Sequence, residues 1–366
     1  MRPPPLLISL LSLALVPCAP FAPPLPALQL SAFARPLFSA APLPQPASAL
    51  SEALSEALPS LSPPTSLPPV PALLRRSPLL LLPLLLTPLP SRLLAAVWSS
   101  LLSLPLAHSC MFEAYTAAGG FALSIVFFSF LHLLPRLFLR SEEVAALMRR
   151  RRLDGQFPVQ PFEWLGASGI GRFRQAWVPF FSYLFSVRAF HVFVAKPPLP
   201  LHPPSAVRFL FELASGVLLY DCLFSLLHRA LHRTPLLRPL HRRHHSCAPE
   251  ARKGRSLVAL ETVQHSFPDA FLQVAANVLV QRLALFPILL PAGAALLPKH
   301  PLSRVAHNLL VTYLLAESHS GYDFPWQSHN VFPRVFGGAP DHERHHREGE
   351  GNYYQFFRFL GGRRTA

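Results

Sequence analysis

Thirteen of the 17 histidines fall between residues 228 and 346. They come in groups whose spacing suits a ligand set. His228 and His232, in HRALH, are i and i+4 and share one helix face. His241, His244 and His245, in HRRHH, stand at i, i+3 and i+4, and His342, His345 and His346, in HERHH, repeat that pattern. His319 and His329 lie between the last two groups, in HSGYDFPWQSH. Imidazole is the commonest metal ligand. So many rings gathered beside an apolar medium without metal would leave buried donors and acceptors unpaired. A lone zinc takes about four ligands, so eight or more histidines point to two ions. Imidazole suits zinc, copper, iron and nickel alike, and ligand type alone does not choose among them. A carboxylate-bridged di-iron bundle would show Glu-x-x-His pairs. Glutamate is scarce, so the site is a histidine-only one. His108, His132, His191, His202 and His300, scattered singly, read as satisfied polar residues.

The elements that must carry these rings are apolar. The chain is 51% hydrophobic and 14% charged, about half the usual ~25% charged content. We therefore expect an all-α, polytopic membrane protein with about four spans and a cytoplasmic, histidine-rich helical cap. Residues 119–139, 176–195 and 206–227 are each long and apolar enough for a crossing of ~20 residues. Residues 270–298 and 303–318 read as a second, partly re-entrant hairpin. Arginines 149–152, then Arg229, Arg233, Arg238, Arg242 and Arg243, mark the cytoplasmic side. The net charge of +15 is accounted for by these loop clusters. No aromatic-basic stripe of the nucleic-acid kind appears, so nucleic acid is not an expected partner. On the third span Asp221, Ser225, His228 and His232 form one polar stripe at i, i+4, i+7 and i+11. Asp221 is expected to accept a hydrogen bond from a ligand's free N–H, directly or through water, and so to fix its tautomer.

Residues 1–110 differ from the rest, being dominated by Pro, Leu, Ala and Ser, with Glu52 and Glu56 their only acids up to that point. We expect a leader and low-complexity region there, and a catalytic domain over 111–366. The opening stretch has the layout of a secretory signal. The acid-free segment after it admits two readings, a plastid transit peptide and a Pro-rich extension. Residues 77–98 are apolar but carry four prolines, which leaves membrane segment and low-complexity drift both open. The four cysteines stand far apart with no CxxC, which argues against a disulfide framework.

At its histidine boxes the chain resembles the sterol desaturase/fatty acid hydroxylase superfamily of membrane di-iron oxygenases, whose boxes have the forms HxxxH, HxxHH and HxxHH. HSGYDFPW and GGA look most like the sterol branch, the C-4 sterol methyl oxidases and cholesterol 25-hydroxylase. The resemblance covers roughly 119–362. It implies that His228, His232, His241, His244, His245, His342, His345 and His346 ligate two iron ions, with His319 completing the set and His329 a tenth. It further implies O2-dependent hydroxylation or methyl oxidation of a sterol or related lipid drawn from the bilayer. Electrons would come from NAD(P)H through a separate membrane cytochrome or reductase, because no G-x-G-x-x-G unit is present. Endoplasmic reticulum is the implied location, or a plastid membrane if the leader is a targeting signal. A fatty-acyl or alkane hydroxylase, desaturase or decarbonylase is the alternative, and a non-catalytic metal-binding membrane protein a second. The family's His-Pro-x-Glu element has only a loose match here, in HSFPDA, which leaves the role of His265 open.

Overall fold

In the computed structural model, residues 88–109, 111–137, 141–154, 181–186, 188–189, 199–245, 256–282 and 299–361 are described. The signal-like opening, the acid-free segment, most of 176–195 and residues 283–298 lie outside them. Helices carry the described chain: α1 (Pro88–Leu102), α2 (Phe112–Leu137), α3 (Glu142–Arg151), α4 (Ala206–Arg233), α5 (Arg238–His245), α6 (Phe267–Arg282), α7 (Pro301–Ser318), α8 (Ser328–Val331) and α9 (Gly338–Glu348), with three short 3-10 turns. No strand occurs among the described residues, only the isolated bridges Arg152–Tyr322 and Phe336–Phe357. The expected all-helical class is what is found.

Two helices, over Phe112–Leu131 and Ala206–Arg233, are long and apolar enough to cross a membrane. Leu123 and Val126 on α2 and Val207 and Leu226 on α4 are each more than 60% exposed. Side chains of that kind on a 26- or 28-residue helix suit lipid better than water. α1 lies in the stretch expected to stand apart from the catalytic fold. Its Trp98 is nonetheless buried, donating to the carbonyl of Pro200 and packing edge-on to the His300 ring.

The remaining contacts show which way each helix runs. At the start of α7, Arg304 forms a bidentate pair with Glu113 at the start of α2 (2.6 and 2.9 Å). The backbone N–H of His300 donates to Glu212, which also pairs with Arg208 at the start of α4. α2, α4 and α7 therefore leave a common charged end and run the same way. α6 runs opposite, its C-terminal Val280 carbonyl accepting from Lys299. Val217, Tyr220, Phe224, Val280, Val311 and Leu314 form the core between α4, α6 and α7. The far ends of α4 and α7 and the start of α6 converge on the histidines.

Candidate metal centre

Each histidine group sits on a short helical face that the surrounding fold buries. In α5, His241 and His244 are buried while Arg242 and Arg243 face outward, as the helical period requires. In α9, His342, His345 and His346 are buried and Arg344 and Arg347 exposed. α9 ends at Gly349, whose φ of +71° closes the helix in the left-handed region. Glu343, on the same helix, takes the backbone N–H of Leu257 and pins the loop that precedes α6.

Two sets of four imidazoles result. One holds His228, His232, His245 and His345; the other holds His244, His319, His342 and His346. Within each, one nitrogen per ring lies within 4.8 Å of all the others. The sets adjoin, with the rings of His245 and His346 4.4 Å apart. His241 leans on the first set, 4.8 Å from the His228 ring and 4.9 Å from that of His232. Each HxxHH box is shared between the sets. His342 and His346, one turn apart, serve one set while His345 turns to the other. In α5, His245 joins the first set and its neighbour His244 the second.

Hydrogen bonding shows that these rings suit a cation. His228 Nδ1 donates to the Tyr353 carbonyl (2.9 Å), His345 Nδ1 to that of Gly351 (2.7 Å), and His319 Nδ1 to that of Leu315 (3.0 Å). A neutral imidazole has one N–H, so Nε2 of each ring carries a bare lone pair. Yet Nε2 of His228 and Nε2 of His345 face each other at 3.1 Å. The pair His342–His319 does so at 2.9 Å, His346–His342 at 3.1 Å and His232–His245 at 3.1 Å. In the His228–His345 pair both lone pairs are bare and repel, and a shared cation removes the repulsion. Nitrogens ~2.0–2.1 Å from one ion are themselves about 3 Å apart when they are neighbours in its shell. Buried His241 Nε2, His244 Nδ1, His342 Nδ1 and His346 Nδ1 have no hydrogen-bond partner among the described residues. The residues present fit two metal ions.

Protonation state points the same way. Burial, reinforced by the neighbouring imidazoles, holds His244, His342 and His346 well below the usual histidine range and His345 at about 3. The rings are therefore neutral and able to ligate at physiological pH. Unfolded, they take up protons below about pH 6.5. Protons bind the unfolded chain more between about pH 6.5 and 3, so stability is full above that window and falls as pH drops through it. Metal-stripped protein should melt at a lower temperature at pH 5 than at pH 7. A melting temperature that is flat or rises over that interval would contradict the buried, neutral rings.

Two acids act differently from expectation. Asp221 touches no imidazole. Its carboxylate accepts the backbone N–H groups of Gln355, Phe356 and Phe357 at 2.7, 3.0 and 2.6 Å. It thus fastens the segment whose Tyr353 carbonyl orients His228. The tautomer-fixing carboxylate is Asp269. It accepts from His241 Nδ1 at 3.0 Å and His265 Nδ1 at 2.9 Å, and from Gln273. Burial alone would raise the Asp269 carboxyl, but His265 and His241 beside it hold it well below the usual carboxylate range. The His265 ring stacks on His244 at 4.2 Å, and its other nitrogen reaches the Thr262 carbonyl. His265 thus supports the site through Asp269 and His244. Loss of such an outer contact typically costs 10–100-fold in metal affinity. Asp269→Ala should lower metal affinity by about that factor, measured by competition with a chelator.

His329 does not join either set. Its Nε2 pairs with Asp323 at 3.0 Å and its ring packs over Gly338, where a Cβ would come within 2.3 Å of Nδ1. The sequence HSGYD puts His319 and His329 ten residues apart, and the turn between them sends the two rings to different places. Gly321 makes that turn, at φ +69°, with the Leu257 carbonyl where a Cβ would sit.

The site adjoins an apolar cavity of about 290 Å³ between α2, α4, α6 and α7, with His244, His265 and His319 in its lining. The described residues thus combine a helical frame, two helices apolar enough to cross a membrane, and two adjoining imidazole sets that could hold metal, one of them lining an apolar cavity. Residues 213–361 of the chain match the family model for fatty acid hydroxylase. The chain is 29% identical to a cholesterol 25-hydroxylase-like protein of Danio rerio over 177 residues, 48% of this chain and 62% of that one. To the cholesterol 25-hydroxylase of Mus musculus it is 27% identical over 226 residues, 60% of this chain and 67% of the other. It is 35% identical to a methylsterol monooxygenase of Aspergillus fumigatus over 141 residues, 38% of this chain and 41% of that one. No solved structure matches the chain.

Proposed function

We propose that this protein is a non-haem di-iron oxygenase that hydroxylates, or oxidises a methyl group of, a sterol or related membrane lipid. The observation that carries the reading is the pair of adjoining imidazole sets, the second of which lines an apolar cavity through His244 and His319. The similarity to sterol hydroxylases and methylsterol monooxygenases supports the choice of lipid.

His228, His232, His241, His245 and His345 would hold one iron, and His244, His319, His342 and His346 the other. Iron held by these residues would supply activation of O2 and removal of hydrogen from an unactivated C–H bond. Tyr353, Gly351, Leu315 and Asp269 hold the N–H side of four rings so that Nε2 points inward. Apolar side chains, Phe121, Ile125, Phe224, Val263 and Leu315 among them, keep the reacting carbon dry and suppress side reactions. Electrons come from NAD(P)H by way of a separate membrane cytochrome or reductase. The outward Arg229, Arg233, Arg238, Arg242 and Arg243 offer an acidic partner a docking face beside the metal site. Two of them, Arg229 and Arg233, lie over the Tyr353 ring at 5.6 and 5.9 Å.

Purified protein should contain two iron atoms per chain and consume O2 when supplied with reductant and sterol. Cells expressing it should accumulate a new oxidised sterol. Tight zinc with no O2 consumption would reject the enzyme reading. Oxidised fatty acyl chains without oxidised sterols would move the substrate to the other branch.

A further inference from the structure

The cavity is apolar along most of its length, but its wall away from the histidines carries Asn277 and Thr312. On α6 the residues Asp269, Gln273, Asn277 and Gln281 follow at i, i+4, i+8 and i+12 and share one face. Asp269 and Gln273 serve the metal site; Asn277 and Gln281 do not. Asn277 Nδ2 donates to Asn308 Oδ1 (3.0 Å), and Asn277 Oδ1 accepts from His307 Nε2 (3.0 Å). Gln281 Nε2 also donates to Asn308 Oδ1, and Thr312 Oγ1 to the Asn308 carbonyl. All of Asn277, Gln281, His307 and Asn308 are more than nine-tenths buried. The network is incomplete, for Asn308 Nδ2, His307 Nδ1 and Gln281 Oε1 have no partner among the described residues. Buried polar groups between apolar helices cost free energy unless satisfied, and inside a membrane protein they mark functional positions.

We infer that this cluster binds the hydroxyl end of an elongated neutral lipid whose far end is oxidised. The inference rests on the proposed sterol oxidation. Asn277, its amide held in orientation by His307 and Asn308, keeps one N–H and one lone pair free to face a hydroxyl, which needs both a donor and an acceptor. Thr312 Oγ1 adds a second acceptor. A carboxylate does not suit the place, since no charged side chain lines the cavity among the described residues.

Position then selects the carbon. Asp269 buttresses the histidines, and Asn277 lies eight residues further along α6, about 12 Å at 1.5 Å per residue. Thr312 is seven residues before His319 at the end of α7, about 10 Å. In a sterol the hydroxyl and the alkyl tail are at opposite ends, whereas a C-4 methyl is carried on the carbon next to the one bearing the hydroxyl. A hydroxyl held at Asn277 and Thr312 puts the tail toward the histidines and keeps a C-4 methyl about two helical turns away. The reaction assigned is oxidation of the tail.

Two measurements on purified full-length protein in sterol-free vesicles test this. Binding of cholesterol is compared with binding of its deoxy analogue lacking the ring hydroxyl, and a 4-methylsterol, which carries both a C-4 methyl and the tail, is then supplied with O2 and reductant and its oxidised carbon located by mass spectrometry. Wild type should bind cholesterol tenfold or more tighter than the deoxy analogue. Thr312→Val and Asn277→Leu should bring that ratio near one. Product should carry its new oxygen on the tail. Equal affinity for the two sterols in the wild type, or oxygen placed on a C-4 methyl, overturns the assignment while leaving sterol oxidation standing. Failure to bind or oxidise any sterol overturns both.

Discussion

His345→Ala should retain no more than one of the two metal ions and lose about a thousandfold or more in turnover. His345 Nε2 faces His228 Nε2, and the His345 ring lies within 4.8 Å of those of His232 and His245. Removing it opens the first set on the side of α9. The Lewis-acid contribution of a metal is several kcal/mol, and each 1.36 kcal/mol is tenfold in rate. Metal analysis of the purified variant, with O2 consumption in the presence of sterol and reductant, checks both parts. His329→Ala is the companion. It removes a buried imidazole of the same region that belongs to neither set, so its metal content should equal that of the wild type. Two ions retained in His345→Ala, or one lost in His329→Ala, would redraw the ligand set.

Asp221→Ala should have an effect nearly as large by a different route. It strands three backbone N–H groups, at Gln355, Phe356 and Phe357, in a buried place. Hydrogen bonds to a charged group contribute ~1.5–3 kcal/mol each, and a buried donor left alone costs ~1–3 kcal/mol. The three share one carboxylate and do not add fully. We expect a loss of about 3–5 kcal/mol in stability. Because this segment carries the Tyr353 carbonyl that orients His228, the first set should also lose metal affinity. Thermal unfolding in detergent and a chelator competition separate the two effects. A variant that melts like wild type would mean that Asp221 does not fasten the segment.

These predictions show what each level of structure decides. Local spacing suffices to place histidines on a common helical face, because 3.6 residues per turn brings i, i+3 and i+4 together whatever surrounds the helix. His228 with His232, and the two HxxHH boxes, were legible for that reason. So were the helical class and the long apolar segments of α2 and α4, because twenty apolar residues in a row have few other uses. The expectation of more than one ion came from counting imidazoles against the capacity of a shell.

Tertiary packing decided the partners. Nothing in HRRHH tells that His244 and His245, adjacent in the chain, face different sets; that depends on how α5 meets α4, α7 and α9. His319 and His329 look alike in sequence, and only the turn at Gly321 sends one into the site and the other to Asp323. Asp221, on the same stripe as His228, appeared to be the orienting acid. The stripe is real, but the backbone of residues 355–357 reaches it first, and Asp269 from α6 takes that role. A stripe such as Asp269–Gln273–Asn277–Gln281 could have been found by its period. That its first half serves the histidines and its second half faces the far wall of a cavity is set by contacts between α6 and α7. Faces are properties of a single helix, whereas what each face meets is a property of all of them together.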